Sequence, residues 1–290
     1  ASAGMSPVAR LSHQWSGLAG IKAIKALDDG LVDPAALADL AERLAALRAR
    51  LAAAPLQFMI VAEDEQQPDI AVRLAQVWQD TGATPAAADA RFALAPAGGR
   101  VAEAWTTNTQ VNFCARAYPT VAWGHPDAPA LAVLGGYLRN GFLHTAIREK
   151  GGAYGGGAGY DADSGAFRFY SYRDPRLADT LADFDRALDW LHGGDHPPRA
   201  VEEAILGVIA SIDRPGSPAG EARRAFHANL FGRTAEARRQ SRLAVLGVTL
   251  DDLRRVAATY LVPEKANTAV VTSPAALDQA GDLGLTAIRL

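Results

Sequence analysis

Apolar residues recur at every third or fourth position through much of this chain, and the breaks in that rhythm mark its strands. Residues 15–29, WSGLAGIKAIKALDD, place Trp15, Leu18, Ile21, Ile24 and Leu27 at threefold spacing, which predicts an amphipathic helix. A second helix is predicted over 34–53, where Pro34 suits the first turn and Leu37, Leu40, Leu44, Leu47 and Leu51 form one stripe. LQFMIVAED (56–64) reads as a buried strand, and 68–79 as a further helix. The stretch TGATPAAADARFALAPAGGR (81–100) is rich in Ala, Pro and Gly with no apolar period, so it reads as a linker or a loose surface crossing.

A second block begins near Val101. QVNFCARAY (110–118) sets Val111, Phe113, Ala115 and Ala117 on one face, a strand pattern. Asp127 is placed to cap a helix running through APALAVLGGYLRNGFLHTAIREK, loosened at Gly135-Gly136 and Gly141. A glycine-dense segment follows, then GAFRFYSYRD (165–174), read as a strand antiparallel to it. Asp174-Pro175 is predicted to start the next helix, with Asp as cap and Pro in the first helical position. Further helices are expected at about 198–213, 219–231, 234–246 and 249–262, the last opened by a capping box at Thr249 and Asp252. NTAVVTS (267–273) closes as a strand. Strand, helix, hairpin, several helices and strand, in that order, predict a sheet with helices on one side.

Composition changes this picture little. The chain has 290 residues, enough for one large core or two modest ones, with 49% hydrophobic and 21% charged residues and a net charge of −3. Arginines are scattered among acids, so nothing favours nucleic acid or a membrane surface as partner. No stretch approaches the length of a membrane span, and ASAGMSPVARLSH lacks the charged-then-apolar order of a signal peptide. The expectation is a soluble protein of a bacterial cytoplasm, or of a periplasm if a leader lies upstream. One cysteine, Cys114, leaves no internal disulfide and no Cys-rich metal site; in a strand it reads as a small buried apolar residue.

The candidate chemistry gathers at REKGGAYGGGAGY (148–160). Its glycines do not form a phosphate loop. The dinucleotide pattern from Gly155 and Gly157 requires glycine where Tyr160 stands, and Gly157 occupies the position where a nucleotide loop needs lysine. Such loops also follow a strand and open a helix, whereas here a helix ends and a strand begins. HGGDH (192–196) imitates a zinc motif, but Gly193-Gly194 within it and Pro197-Pro198 after it oppose a continuous helix, so it reads as an exposed turn. An independent hydrolase built on His192 and His196 would require that turn to hold zinc. His13, His125, His144 and His227 show no ligand spacing, and there is no nucleophile elbow. Arg148 and Tyr154 remain. By themselves they read as a helix-ending arginine and a packed strand tyrosine. Both donate hydrogen bonds, however, and the glycines around them would let another backbone approach.

The stretch LHTAIREKGGAYGGGAGYDADSGAFRFYSYRDPRLADTL (143–181), with Thr180 five residues past Pro175, resembles the C-terminal half of the pitrilysin/insulinase family of zinc metallopeptidases, in its presequence-protease branch. EEAILGVIASIDRP, RTAEARRQSRLAVLGVTLDDLR, QVNFCARAY and GLAGIKAIKALDD resemble other parts of that half, so the likeness covers nearly the whole chain. It implies an α+β fold with a mostly antiparallel sheet and helices packed on one face. It also implies that residues 1–95 are the end of the penultimate domain and 96–290 the last one. In this family two halves close around an unfolded peptide. The N-terminal half holds Zn2+ through H-x-x-E-H and a distal Glu, and the C-terminal half supplies an Arg and a Tyr near the scissile bond. Those positions match Arg148 and Tyr154, with Gly151 and Gly152 between them as substrate-facing backbone. The zinc motif is absent here, so the resemblance implies an accessory half with no complete catalytic set and no cofactor of its own. Its partners would be the zinc-binding half, on the same or a separate chain, and an unfolded peptide. The alternative is an inactive scaffold or interaction subunit that retains the fold.

Overall fold

In the computed structural model, residues 1–54, 58–78 and 99–290 are described. In chain order the helices are α1 (Pro7–Ser16), α2 (Leu18–Gly30), α3 (Pro34–Ala52), α4 (Gln67–Trp78), α5 (Ala128–Leu138), α6 (Ala178–Gly193), α7 (Pro198–Ile212), α8 (Pro218–Leu230), α9 (Ala235–Leu246), α10 (Leu250–Tyr260) and α11 (Pro274–Gln279). The strands are β1 (Ala102–Thr106), β2 (Asn112–Pro119), β3 (Gly155–Asp161), β4 (Ala166–Asp174), β5 (Asn267–Thr272) and β6 (Thr286–Arg289). A π-helix, Arg139–Lys150, continues α5.

The chain forms two compact units, Ala1–Ile21 with Leu94–Arg214 and Ala235–Leu290, and Lys22–Ala93 with Pro215–Thr234. The second is helical among its described residues. Asp33 caps α3 by accepting the Ala35 N–H at 3.0 Å, with Pro34 in the first turn as its sequence predicts. Leu37, Leu44, Leu47 and Leu51 on its apolar stripe are each more than half exposed. The run 56–64, expected as a strand, forms none over its described residues 58–64. An apolar run needs a neighbouring chain to satisfy its backbone before it becomes a strand. Here Phe58 instead sets its ring 5.4 Å from that of Trp78 on α4. The predicted linker lies, over 81–98, outside the described residues.

The first unit carries the sheet, in the order β3-β4-β2-β5-β1-β6. β3–β4, β4–β2 and β2–β5 are antiparallel, while β1 runs parallel to both β5 and β6. The fold is therefore α+β with a mostly antiparallel sheet. α5, the π-helix and α6 lie against one face, and α7, α9 and α10 pack onto α5. Ala104, Cys114, Tyr118, Phe167, Phe169 and Val270 from the sheet join Leu131, Leu134, Leu138, Phe184, Leu253 and Val256 from the helices in one core. Burying such side chains contributes roughly 1.5–3 kcal/mol each. On β2 this core takes Cys114 and Tyr118, so the face carrying Val111, Phe113 and Ala115 is the other one, where Phe113 is 40% exposed. That second face is covered at β1, where His13 of α1 meets Trp105 edge-on at 6.1 Å.

Several local expectations are corrected. Helix α1 and strands β1 and β6 have no strong periodic pattern and were not anticipated. The Asp127 side chain makes no capping bond to α5. It accepts from the Tyr260 hydroxyl at 2.7 Å and from Arg255 at 2.7 Å, joining the start of α5 to α10. Asp174-Pro175 does not start α6, which begins at Ala178 with no side-chain cap; Asp174 instead ends β4. The capping box at Thr249 and Asp252 is present with both reciprocal bonds. Among the described residues no helix is long and apolar enough to cross a membrane.

Partial burial opposes ionisation of Asp127, but the Tyr260 and Arg255 hydrogen bonds outweigh it and hold the carboxyl below its ordinary 3.8. A lowered folded-state value stabilises the fold above the unfolded value, and that contribution is lost as pH falls through the folded one. Tyr260→Phe should therefore cost about 1 kcal/mol at neutral pH in urea unfolding. The deficit should shrink below about pH 4, where the wild-type contribution itself disappears.

Candidate functional site

Arg148 and Tyr154 flank a turn whose shape is set by glycine. The π-helix that carries Arg148 fits against α6 at Gly141: a Cβ there would lie 2.3 Å from the Trp190 ring. At its end the N–H groups of Gly151 and Gly152 turn back to the Arg148 carbonyl, the latter at 3.1 Å, and Ala153 N–H reaches the Ile147 carbonyl at 3.1 Å. Gly152 adopts φ +77°, the left-handed conformation that reverses a chain at a helix end and that glycine adopts without a Cβ clash. Tyr154 then donates its N–H to the Arg173 carbonyl at 3.2 Å, and β3 begins one residue later.

The turn leaves both candidate side chains in the open: Arg148 is exposed and Tyr154 is 65% exposed. The two glycines differ. Gly152 is exposed, whereas Gly151 is buried, and a Cβ on it would sit 2.0 Å from Arg176 Nη2 and 2.4 Å from the Ile147 carbonyl oxygen. Arg176 Nη2 donates to the Ala146 carbonyl at 3.2 Å and to Asp183 at 2.9 Å. Asp183, whose side chain is 6% exposed, also receives Arg186 at 2.7 Å. Arg176 thus ties the last turn of the π-helix to α6, directly beneath the turn that separates Arg148 from Tyr154. Sequence reading missed it, because an arginine after Asp-Pro carries no sign of what lies above it.

The hairpin β3–β4 puts glycines opposite tyrosines. Gly155 faces Tyr172, Gly157 faces Tyr170 and Gly159 faces Arg168, all on the sheet face away from the core. Neighbouring side chains lean into the space the glycines leave: a Cβ on Gly155 would meet the Tyr172 hydroxyl at 2.5 Å, and one on Gly157 would meet the Arg139 stem at 2.9 Å, with the Tyr170 hydroxyl at 3.4 Å. Aromatic side chains covering bare glycines across a strand pair stabilise such a hairpin. The face above Gly155 and Gly157 is consequently lined by the Tyr172 and Tyr170 phenols and the stem of Arg139. The outer edge of β3 has no strand partner among the described residues.

The far end of β4 is anchored from below. The Asp174 side chain is fully buried; it accepts the Thr180 hydroxyl at 2.8 Å and the Arg176 N–H at 2.9 Å. Its carbonyl receives the Asn112 side-chain amide at 3.1 Å, and Thr272 in turn donates to Asn112 at 2.5 Å. Asp174 thus has a structural role, and the guanidinium of the preceding Arg173 lies over the Tyr154 ring.

Other candidates are placed as follows. Burial pushes the Cys114 thiol up to about 12, so it is not a thiolate at neutral pH. His192 ends α6, and the His196 ring packs 4.4 Å from Trp190 with Nε2 3.1 Å from the Trp190 carbonyl. Among the described residues no three His, Cys, Asp or Glu side chains converge as a metal site would require, so the residues present do not fit a zinc ion.

A family model described as PreP C-terminal domain matches residues 102–274, a span that includes Arg148 and Tyr154. The mitochondrial presequence protease of Yarrowia lipolytica is 44% identical over 153 residues, covering 53% of this chain and 15% of that protein. Its namesake from Kluyveromyces lactis is 39% identical over 163 residues, covering 56% of this chain and 16% of that protein. The chain thus spans only a small fraction of these relatives. Both names place those proteins in mitochondria, a compartment other than the bacterial one expected above. Among solved structures, pitrilysin superposes with a TM-score of 0.53 at 15% identity, over 77% of this chain and 25% of that one, which shows a shared fold.

The two turn glycines should respond differently to alanine. Gly152→Ala forces a Cβ into the left-handed region and should cost about 1–2 kcal/mol. Gly151→Ala should cost about 1–3 kcal/mol through overpacking. Adding Arg176→Ala should not restore Gly151→Ala, since the Ile147 carbonyl oxygen still blocks the new methyl. Urea unfolding of the three variants checks this.

Proposed function

The chain belongs to the PreP C-terminal domain family, and from that premise we propose that it is the zinc-free C-terminal half of a metalloendopeptidase that degrades unfolded peptides. The observation that carries this reading is the exposure of Arg148 and Tyr154 on either side of one glycine-set turn, next to an edge of β3 that has no strand partner among the described residues. An extended peptide satisfies an unpaired strand edge by adding a strand to it, and its carbonyls then need donors where the sheet ends. Tyr154, and with it Arg148, donates hydrogen bonds to the carbonyl oxygen at the scissile bond as that oxygen gains charge. A phenol and a guanidinium suit that task because both donate strongly and neither needs to lose a proton to do so.

Zinc would be held by the N-terminal half, where it supplies the activated water. The contribution of this chain is to bind, to orient and to stabilise charge. On the same reading residues 1–95 belong to the penultimate domain of the full protein and 96–290 to its last domain. The peptide lies between the halves, and Gly152 gives it a side-chain-free backbone to pass.

The test is reconstitution. The purified chain, mixed with its N-terminal half and an unstructured peptide, should cleave the peptide, and neither half should do so alone. Tyr154→Phe should lower kcat by about 10²–10³-fold, the typical loss of one oxyanion donor. Wild-type activity in that variant would overturn the assignment of Tyr154. A stable complex of the two halves that leaves every peptide intact would favour a scaffold role.

A further inference from the structure

Arg173 is the one non-glycine residue among those described that has a left-handed backbone, at φ 49°. It sits in a β-bulge. Asn112 on β2 opposes Asp174 and Cys114 opposes Ser171, so Tyr172 and Arg173 together face the single residue Phe113. In an unbroken strand, alternation would send Arg173 into the helix-packed face and Asp174 out to the open one. The extra residue reverses both. Arg173 becomes exposed beside Tyr172, and Asp174 is fully buried in its hydrogen-bond network.

What the exposed arginine meets is Tyr154. Its guanidinium carbon lies 5.6 Å from the Tyr154 ring centre, and its carbonyl accepts the Tyr154 N–H at 3.2 Å. The Tyr172 ring lies 5.7 Å from that of Tyr154. A phenol this exposed has little packing to select among its rotamers. Here a cation over the ring and a neighbouring ring restrict it, and both partners project from the same bulge. A bulge that served only the fold would be made at lower conformational cost by glycine or asparagine, which tolerate positive φ better than arginine. Backbone strain retained at a side chain that contacts a candidate functional group fits a positioning role.

We propose that Arg173 is a positioning residue: its left-handed bulge holds the guanidinium against the Tyr154 ring and so aims the phenol at the peptide carbonyl. The aiming function rests on the reading of Tyr154 given above, while the placement of the ring can be tested without it. In the chain alone, 3-fluorotyrosine at position 154 should give a 19F resonance that shifts and sharpens in Arg173→Gly and Arg173→Asn as the ring gains freedom. Both variants should keep or raise the melting temperature, because each relieves the backbone. In the enzyme reconstituted with its N-terminal half, both should lower kcat by about 10²-fold with KM unchanged, the size expected for misplacing a reacting group by about 1 Å. Arg173→Lys should fall between, since it keeps the charge without the planar face. In a Tyr154→Phe background Arg173→Gly should cause no further loss. An unmoved 19F resonance, or a melting temperature that falls in both variants, would overturn the proposal. If the wild-type halves do not cleave peptide, the proposed function fails, and the 19F measurement still decides whether Arg173 places the ring.

Discussion

The candidate site depends on a carboxylate that is not part of it. Asp174 lies fully buried at the end of β4, and its oxygens are satisfied by the Thr180 hydroxyl and the Arg176 N–H. A buried carboxylate without such partners would be strongly destabilising. With them it locks strand, turn and helix into a single arrangement. Because Asp174 must point inward, the bulge before it must form, and the side chains of Tyr172 and Arg173 are both turned outward. Asn112 and Thr272 extend the network into β2 and β5, so this end of the sheet is held from three strands.

On that base the chain presents side chains that are exposed yet constrained. The Arg148–Tyr154 turn is tied to the π-helix by backbone bonds to Ile147 and Arg148, and to β4 by the bond from Tyr154 to Arg173. From below, Arg176 and Asp183 fasten the same turn to α6. Glycine has a different purpose at each position. Gly152 supplies a left-handed backbone, Gly151 makes room for the guanidinium of Arg176, Gly155 accepts the Tyr172 ring, and Gly157 accepts the stem of Arg139. A run that looked uniformly bare in the sequence is largely filled by neighbours distant in the chain.

Much of this was legible beforehand. The helices with a clear apolar stripe, α3, α4, α6 and α7 through α10, stand within a few residues of where periodicity puts them, because the 3.6-residue spacing of apolar positions is a local property of the chain, legible even where, as on α3, the stripe stays exposed. The β3–β4 hairpin, the burial of Cys114 and the capping box at Thr249 were legible for similar local reasons. The failures are also physical. The run at 58–64 looks like a strand but finds no strand partner among the described residues, while β1 and β6, with weaker patterns, become strands because β5 offers β1 a ladder and β1 offers one to β6. Asp127 and Asp174 both have the chemistry of helix caps, yet Tyr260 and Arg255 claim the first and Thr180 the second. At the candidate site, the family resemblance singled out Arg148 and Tyr154; the contacts of Arg173 and Arg176 were not legible.

The sequence by itself determined the helical stripes, the strand alternation and the residues able to donate to a carbonyl, since each of these depends on spacing and side-chain chemistry alone. Only the tertiary structure decided which face of each strand is buried, where β4 bulges and which arginine meets which ring. Those outcomes depend on partners far away along the chain: Asn112 is 62 residues from Asp174 and 160 from Thr272. No local pattern can encode a contact whose other half arrives only when the sheet closes.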